Sequence, residues 1–173
     1  MTVTCAHVAS ENGHAGALGV LVEAGGKELV ILTTNDGTSC AWVASANGQV
    51  EALRMLIEAR SEELLMLMRD DGVSCAHIAC QIGHAEVLRI LIEAGGKDLA
   101  MLTRTSGITC VHIASEKGDV EALRILIEEG GKEMLMLAAV DGVSCAHIAP
   151  IVVTKMTRQP HSQKRQLIHI TKV

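Results

Sequence analysis

The stretch Gly-Val-Ser-Cys-Ala-His-Ile-Ala at positions 72–79 decides how this sequence is read, because close copies of it return at positions 107–114 and 142–149. Its cysteine belongs to a series in which each member follows the last by 35 positions, namely Cys5, Cys40, Cys75, Cys110 and Cys145. A fixed period of this length is typical of proteins built from stacked structural repeats. The sequence therefore predicts a stack, and we expect its function to come from that stack.

The repetition extends well beyond the quoted stretch. Full units span 37–71, 72–106 and 107–141, a unit at 2–36 lacks the first glycine, and a partial unit covers 142–149. Compared position by position, the units at 72–106 and 107–141 are identical at 18 of 35 positions. We expect a repeat array over 2–149 and a separate tail over 150–173.

Each unit carries the pattern of two helices joined by a turn. In the unit at 72–106, a short apolar segment at 75–79 is followed by Gly83-His84 and then by an amphipathic segment at 86–93. The apolar residues at 87, 88, 91 and 92 share one face of a helix. The pattern predicts an all-α, helix-turn-helix repeat solenoid.

Helix start and stop signals agree with this interpretation. A serine or threonine precedes each first helix, where its hydroxyl can accept a hydrogen bond from a free backbone amide. These predicted N-caps are Thr4, Ser39, Ser74, Thr109 and Ser144. Double glycines at 25–26, 95–96 and 130–131 are expected to close the second helices, because glycine adopts the left-handed conformation at low cost. The second unit has Arg60-Ser61 instead, so its second helix is expected to run on or to fray.

These residues resemble the ankyrin repeat, whose family signature is Thr-Pro-Leu-His-x-Ala with a period of about 33 residues. The resemblance covers positions 2–149, and in the fourth unit Thr109, His112 and Ala114 match the signature. Cysteine replaces the signature's proline throughout, and each unit is longer by about two residues. The extra residues precede the next unit, where the family forms a protruding finger. Runs of leucine and methionine there favour an added helical turn over a strand.

The resemblance implies a protein-protein interaction module, such as a scaffold or an inhibitory regulatory subunit, with a protein as its partner. Repeat solenoids bind through equivalent positions of successive units. Here the fingertip residues change between units while core positions barely change, although drift of unconstrained loops gives the same contrast. The partner-binding residues predicted on this basis are Asp36, Arg69, Asp70, Asp71, Arg104 and Asp141.

The histidine of the signature has a structural duty in this family, where it bridges backbone and hydroxyl groups of adjacent loops. The resemblance assigns this duty to His7, His77, His112 and His147. Trp42 holds the same position in the second unit, and an indole supplies one donor and no acceptor. We expect Trp42 to be buried between units; the alternative is an exposed anchor for a partner.

Composition and charge narrow the possible functions. The chain has no Phe, no Tyr and a single Trp, which suits a solenoid better than one large core. No apolar run approaches the roughly 18 residues that span a bilayer, and no signal pattern opens the chain, so we expect a soluble, intracellular, cytoplasmic protein. Residues 1–150 hold 10 basic and 20 acidic residues, a net charge of −10, which argues against nucleic acid and favours a protein partner with a basic patch.

The sequence predicts no catalytic centre, small-molecule substrate, cofactor or metal site. It offers no nucleophile motif and no phosphate-binding loop, since Gly95-Gly96-Lys97 lacks the rest of a P-loop. The recurring Cys-x-His pairs put their side chains on different sides of a helix, whereas zinc needs four converging ligands. Neighbouring periodic cysteines, about 8 to 10 Å apart on packed helices, are too distant for a disulfide.

A thiol-based redox sensor is the alternative from another class. The periodic cysteines lie at helix starts, where the helix dipole lowers the pKa of a thiol, and Cys80 lies off the period and is expected to be the more exposed thiol. The competing interpretation is that cysteine serves there as a small buried apolar residue.

The two ends of the array differ from its middle. Residues 151–173 contain five basic and no acidic residues, and we expect a mostly disordered tail. Its alternatives are a contact with membrane or nucleic acid, an arm folded onto the acidic repeats, or a chain end outside the original array. Neither end of the array carries a polar capping repeat. This predicts a fragment of a longer array, a divergent cap, or self-association through the ends.

Overall fold

The computed structural model describes residues 3–59 and 62–131, and the regular elements within those ranges are helices. They are α1 (Cys5–Glu11), α2 (Ala15–Val30), α3 (Cys40–Ala46), α4 (Val50–Glu58), α5 (Glu62–Met66), α6 (Cys75–Ile82), α7 (Ala85–Ala100), α8 (Cys110–Lys117) and α9 (Val120–Gly130). The predictions for 132–173, which include Asp141, Ser144, the fifth partial unit and the basic tail, concern residues outside the described ranges.

The helices form two layers. The first helices of repeats 1 to 4 are α1, α3, α6 and α8. Each packs on its own second helix, and α1 packs on α3, α3 on α6 and α6 on α8. The second helices, α2, α4, α7 and α9, pack on one another in the same order. The predicted all-α solenoid of helix-turn-helix repeats is therefore confirmed.

Small and aliphatic side chains fill the space between the layers. Ala6, Ala41 and Ala76 are fully buried on successive first helices, where their size allows the helices to approach closely. Leu53 and Leu88 are fully buried on the second helices, and each contributes about 1.5 to 3 kcal/mol by leaving water. The core continues from repeat to repeat without needing an aromatic residue.

The predicted helix signals are also confirmed where the structure describes them. Thr4, Ser39, Ser74 and Thr109 are the N-caps of α1, α3, α6 and α8. Ser74 Oγ, for example, accepts from the backbone N–H of His77 at 3.3 Å.

The double glycines end the long second helices and start a further helical turn. Gly26 and Gly96 have φ values of 66° and 59°, which interrupt the helical conformation inside α2 and α7. The chain then makes a short turn that buries Val30 in repeat 1 and Leu99 in repeat 3. In repeat 2 the equivalent turn is α5, which begins after the undescribed positions 60 and 61. The helical turn expected before the fingertip is present.

None of the helices that the structure describes is long and apolar enough to cross a membrane.

Candidate functional site: the row of fingers

Three fingers project where one repeat passes to the next. Finger 1 is residues 34–38, finger 2 is residues 69–73 and finger 3 is residues 104–108. In each, the first residue donates its N–H to the carbonyl of the fifth, at 2.9, 3.2 and 2.9 Å respectively. The fourth residue is a glycine with a φ of 75° to 79°, which an L-residue adopts only with strain. The glycine that begins each of these units in the sequence is therefore required by the turn of the finger.

The fingers stack directly on one another. The N–H of Asp70 donates to the carbonyl of Asp36 at 3.1 Å, and Thr105 Oγ1 donates to the carbonyl of Asp71 at 3.0 Å. A Cβ placed on Gly72 would lie 2.6 Å from the backbone nitrogen of Thr105, so finger 3 lies against bare backbone of finger 2. The three fingers thus form one continuous row with a fixed spacing.

Arg69 connects finger 2 to finger 1 and to the first helix behind it. Its Nη2 lies 3.2 Å from Asp36 Oδ2, and its Nε lies 3.9 Å from Asp71 Oδ1. Its Cζ lies 4.9 Å from the centroid of the Trp42 ring, a cation-π distance. The ion pairs are partly exposed and individually weak. Together these contacts fix the position of the Arg69 side chain.

Asp36 is fixed from several sides. The hydroxyls of Thr34 and Thr38 both donate to its carboxylate, the latter at 2.9 Å. These hydrogen bonds lower the pKa of Asp36 to about 2, with a smaller contribution in the same direction from the charge on Arg69. The carboxylate therefore stays ionised at any ordinary pH.

Buried histidines support the other two fingers from below. His7 Nε2 donates to the carbonyl of Thr38 at 3.1 Å, and His77 Nε2 donates to the carbonyl of Ile108 at 3.1 Å. Their Nδ1 atoms lie 2.8 Å from the hydroxyls of Thr4 and Ser74, so Nδ1 is the acceptor and Nε2 carries the proton. The bridging role predicted for these two histidines is confirmed. His112 makes the equivalent contact with the Thr109 hydroxyl at 2.8 Å, and His147 lies outside the described residues.

Burial keeps the bridging histidine of repeat 3 neutral. Desolvation lowers the pKa of His77 to about 4. The neutral ring offers one donor and one acceptor, which is what a bridge between a hydroxyl and a carbonyl requires. His77 is therefore a support of the finger row.

Trp42 replaces the histidine beneath finger 2. Its ring is half-buried, and its Nε1 is buried with no hydrogen-bond partner among the described residues. Arg69 covers the ring instead, so finger 2 is tied to its first helix by stacking rather than by a histidine bridge. The structure thus lies between the two expectations for Trp42, since the ring is neither fully buried nor freely exposed. A tryptophan at a histidine position was the only sequence signal for this contact.

The predicted partner-binding residues fall into three groups. Asp36, Arg69 and Asp71 belong to the network that holds fingers 1 and 2. Asp70 and Arg104 lie on the same row, and their side chains make no hydrogen bond or ion pair with the residues that the structure describes. Asp141 is outside those residues.

Of the two interpretations of the cysteines, the structure supports the one in which cysteine serves as a small buried apolar residue. Cys80 was expected to be the exposed thiol but is buried, and so are Cys40, Cys75 and Cys110. Burial raises the pKa of Cys40 to about 11 and that of Cys75 to about 12. Contact with the Cys80 thiol, together with burial, also raises the pKa of Cys110 well above its usual value. The helix dipole is outweighed by desolvation, because these thiols face the neighbouring repeat and not solvent.

Cys5 is the exposed thiol among the described cysteines, all of which are unpaired. No group of three or more His, Cys, Asp or Glu side chains among residues 3–59 and 62–131 is placed to hold a metal ion.

Comparison with known proteins agrees with this architecture. Residues 62–137 match the family model described as ankyrin repeats (3 copies). A search of curated proteins found no match to the chain.

Proposed function

Because residues 62–137 match the family model of ankyrin repeats, we propose that this chain is a protein-binding module without a catalytic centre, whose fingers contact the partner. Ankyrin repeats are generally modules for protein-protein interaction, and repeat solenoids bind through equivalent positions of successive units. The chain could serve in this role as a scaffold or as a regulatory subunit that blocks its target, since neither requires catalysis or a cofactor.

The proposal depends on one contrast along the finger row: some residues hold the fingers in place, and others leave their side chains available for a partner. The backbones of the three fingers are fixed by hydrogen bonds within and between fingers. Arg69 and Asp36 form an ion pair, whereas the side chains of Asp70 and Arg104 on the same edge make no hydrogen bond or ion pair with the described residues. A surface that is ordered before binding loses little conformational entropy when a partner arrives. Asp70 and Arg104 are therefore the side chains that we assign to direct contact.

Trp42 adds a candidate anchor beside them. Tryptophan and arginine are enriched among residues that dominate binding energy at interfaces. The half-buried ring lies beneath Arg69, and its Nε1 donor has no partner among the described residues. We propose that the partner covers the Trp42-Arg69 pair and flanks it with contacts to Asp70 on one side and Arg104 on the other.

Charge defines the partner class. The repeats carry a net charge of −10 over residues 1–150, which repels nucleic acid and favours a protein with a basic patch. The cysteines that the structure describes are free thiols, as is usual in a reducing compartment, and we propose an intracellular, cytoplasmic setting on that ground.

Affinity capture with charge-matched variants tests the proposal. The Asp70→Ala/Arg104→Ala protein removes one acid and one base from the finger row. The Glu93→Ala/Arg124→Ala protein removes one of each from the second-helix side, at residues that also have no side-chain partner among those described. We expect partners captured by the unaltered chain to be lost with the first variant and kept with the second. Equal capture by both variants would contradict binding through the fingers.

A further inference from the structure

Two first-helix positions in the middle of the array carry a large apolar or aromatic residue where the other described repeats have a polar one. At the first position, Asn12 and Asn47 each donate from Nδ2 to the carbonyl four residues earlier, both at 2.9 Å, whereas repeat 3 has Ile82. The isoleucine side chain has no donor, and the residue is 48% exposed. At the second position, Trp42 replaces the histidine that bridges a hydroxyl and a carbonyl in repeats 1 and 3. Each change therefore removes a hydrogen bond and adds accessible apolar surface.

Partly exposed apolar residues connect these two positions. On α3, Val43 and Ala46 are half-buried and share one face of the helix, and on α6, Ile78 is half-buried one turn before Ile82. The helices α3 and α6 pack on each other, with α1 on one side and α8 on the other, so this surface does not lie at an end of the described array. We call the surface formed by Trp42, Val43, Ala46, Ile78 and Ile82 the apolar strip. Exposed apolar patches with a polar rim are typical of interaction sites.

The apolar strip is acidic at its Trp42 end. Arg69 connects Trp42 to fingers 1 and 2. These two fingers contain one base, Arg69, and three acids, Asp36, Asp70 and Asp71, so their net charge is 1 minus 3, or −2. The side chain of Asp70 makes no hydrogen bond or ion pair with the described residues. A cation that approaches this end of the strip therefore meets a carboxylate that is available to pair with it.

We infer that the apolar strip binds a short segment of the partner in which a lysine or arginine stands near a large aliphatic or aromatic residue. The basic side chain pairs with Asp70, and the apolar side chain packs on Ile78 and Ile82. Lys117 borders the Ile82 end, where its Nζ donates to the carbonyl of Gln81, and its charge disfavours a second cation there. The charges at the two ends thus set the direction in which the segment lies. This inference rests on the proposed function and adds the chemistry of the partner.

Phage display of random peptides of about 12 residues on the immobilised full chain tests this inference. We expect the enriched sequences to combine a lysine or arginine with a leucine, isoleucine, methionine, phenylalanine or tryptophan. A fluorescein-labelled synthetic peptide with an enriched sequence then gives Kd by fluorescence anisotropy. The Kd should rise with salt, because salt screens the ion pair with Asp70. A peptide without tryptophan should also change the emission of Trp42, which is the only tryptophan of the chain.

Substitutions of Ile82 locate the binding site. Ile82→Asn gives repeat 3 the residue that repeats 1 and 2 have at this position, so the fold should be kept while the Kd of the peptide rises at least about tenfold. Ile82→Lys, with the residue of repeat 4, is a second variant with the same expected result. Urea denaturation checks that each variant folds. Val20→Asn is the matched control, because Val20 is 64% exposed on a second helix outside the strip, and it should bind the peptide like the unaltered chain.

Enriched peptides that lack the basic and apolar pair, or a Kd that both Ile82 variants leave unchanged, would overturn the inference. So would the absence of any enriched peptide, which is the result expected if the chain's own tail or a second copy covers the strip. Lost capture by the Asp70→Ala/Arg104→Ala protein, together with unchanged peptide binding by Ile82→Asn, would leave the proposed function standing and remove the inference. Lost peptide binding by Ile82→Asn, together with unchanged capture by the finger variant, would uphold the strip and contradict the fingers.

Discussion

The guanidinium of Arg69 lies over the indole ring of Trp42, with Cζ 4.9 Å from the ring centroid, while its Nη2 reaches Asp36 of the preceding finger. In repeats 1 and 3 a histidine supports the following finger by donating a hydrogen bond to its backbone. Repeat 2 has no histidine at that position, and the Arg69-Trp42 contact serves in its place. Among the three described fingers, finger 2 is therefore supported by a partly exposed side-chain contact, whereas fingers 1 and 3 are supported by buried histidines.

Replacing Arg69 tests this support. Arg69→Ala should lower the free energy of unfolding by about 1 to 2 kcal/mol, because it removes a cation-π contact and partly exposed ion pairs. Arg69→Lys should recover less than half of the loss, since an ammonium lacks the planar fork. Urea denaturation measures both changes. Arg104→Ala is the matched control at the equivalent position of finger 3, and its cost should stay below about 0.5 kcal/mol; equal losses at the two arginines would contradict the role given to Arg69.

Stability should depend on pH through His77. Burial lowers the pKa of this histidine in the folded chain to about 4 from an ordinary value of 6.5, so the unfolded chain binds the proton more tightly. The contribution of neutral His77 to the free energy of unfolding is therefore fully present above pH 6.5. It is lost as the pH falls towards 4, and the total loss is about 3 kcal/mol.

The control for this pH dependence is His77→Gln, which keeps a donor facing the carbonyl of Ile108 but cannot titrate. Urea denaturation at a series of pH values should show a shallower slope between pH 6.5 and 4 for this variant. Asp36 has its lowered pKa near 2 and so acts at a more acidic pH. Identical slopes for the two proteins would show that His77 does not titrate in this range.

The thiols should react in an order set by burial. At pH 8 under native conditions, iodoacetamide should label Cys5 first, because it is exposed, and should leave Cys40 and Cys75 unmodified until the chain unfolds. Peptide mass spectrometry assigns the label to each site. Rapid labelling of Cys75 or Cys80 in the native chain would revive the redox-sensor alternative.

Glycine substitutions should separate backbone strain from finger packing. Gly72→Ala should destabilise the chain by about 2 kcal/mol or more, because φ is 77° and the new Cβ would meet Thr105 N at 2.6 Å. Gly83→Ala is the control, since φ is 96° there and, apart from its two chain neighbours, no described residue lies within 4 Å of the added carbon. It should cost about 1 kcal/mol from strain alone. Thermal unfolding of both variants makes the comparison, and equal costs would mean that the fingers do not press on each other.

The stacking elements of this chain are predictable from sequence because each is set by local chemistry repeated at a fixed interval. Neighbouring residues are enough to predict the role of Ser74 as the N-cap of α6. The same holds for the glycine pairs after the second helices and for the histidine positions. The behaviour of Cys75 is not predictable in this way. The helix dipole at its own helix favours the thiolate, but the repeat that packs against it removes water, and only the structure shows which of the two wins. Arg69 and Trp42 escape prediction for the same reason, since 27 positions separate them in the sequence.

The bond between fingers 1 and 2 uses the amide of Asp70 and the carbonyl of Asp36, groups that every residue other than proline possesses. Substitution of the Asp70 side chain therefore leaves the bond in place. Side chains at the fingertips can therefore be substituted while the backbone of the fingers keeps its position, and such substitutions can change binding specificity. A library randomised at positions 70 and 104, with Thr105 and the glycines kept, is the natural starting point for redirecting this protein to a chosen target.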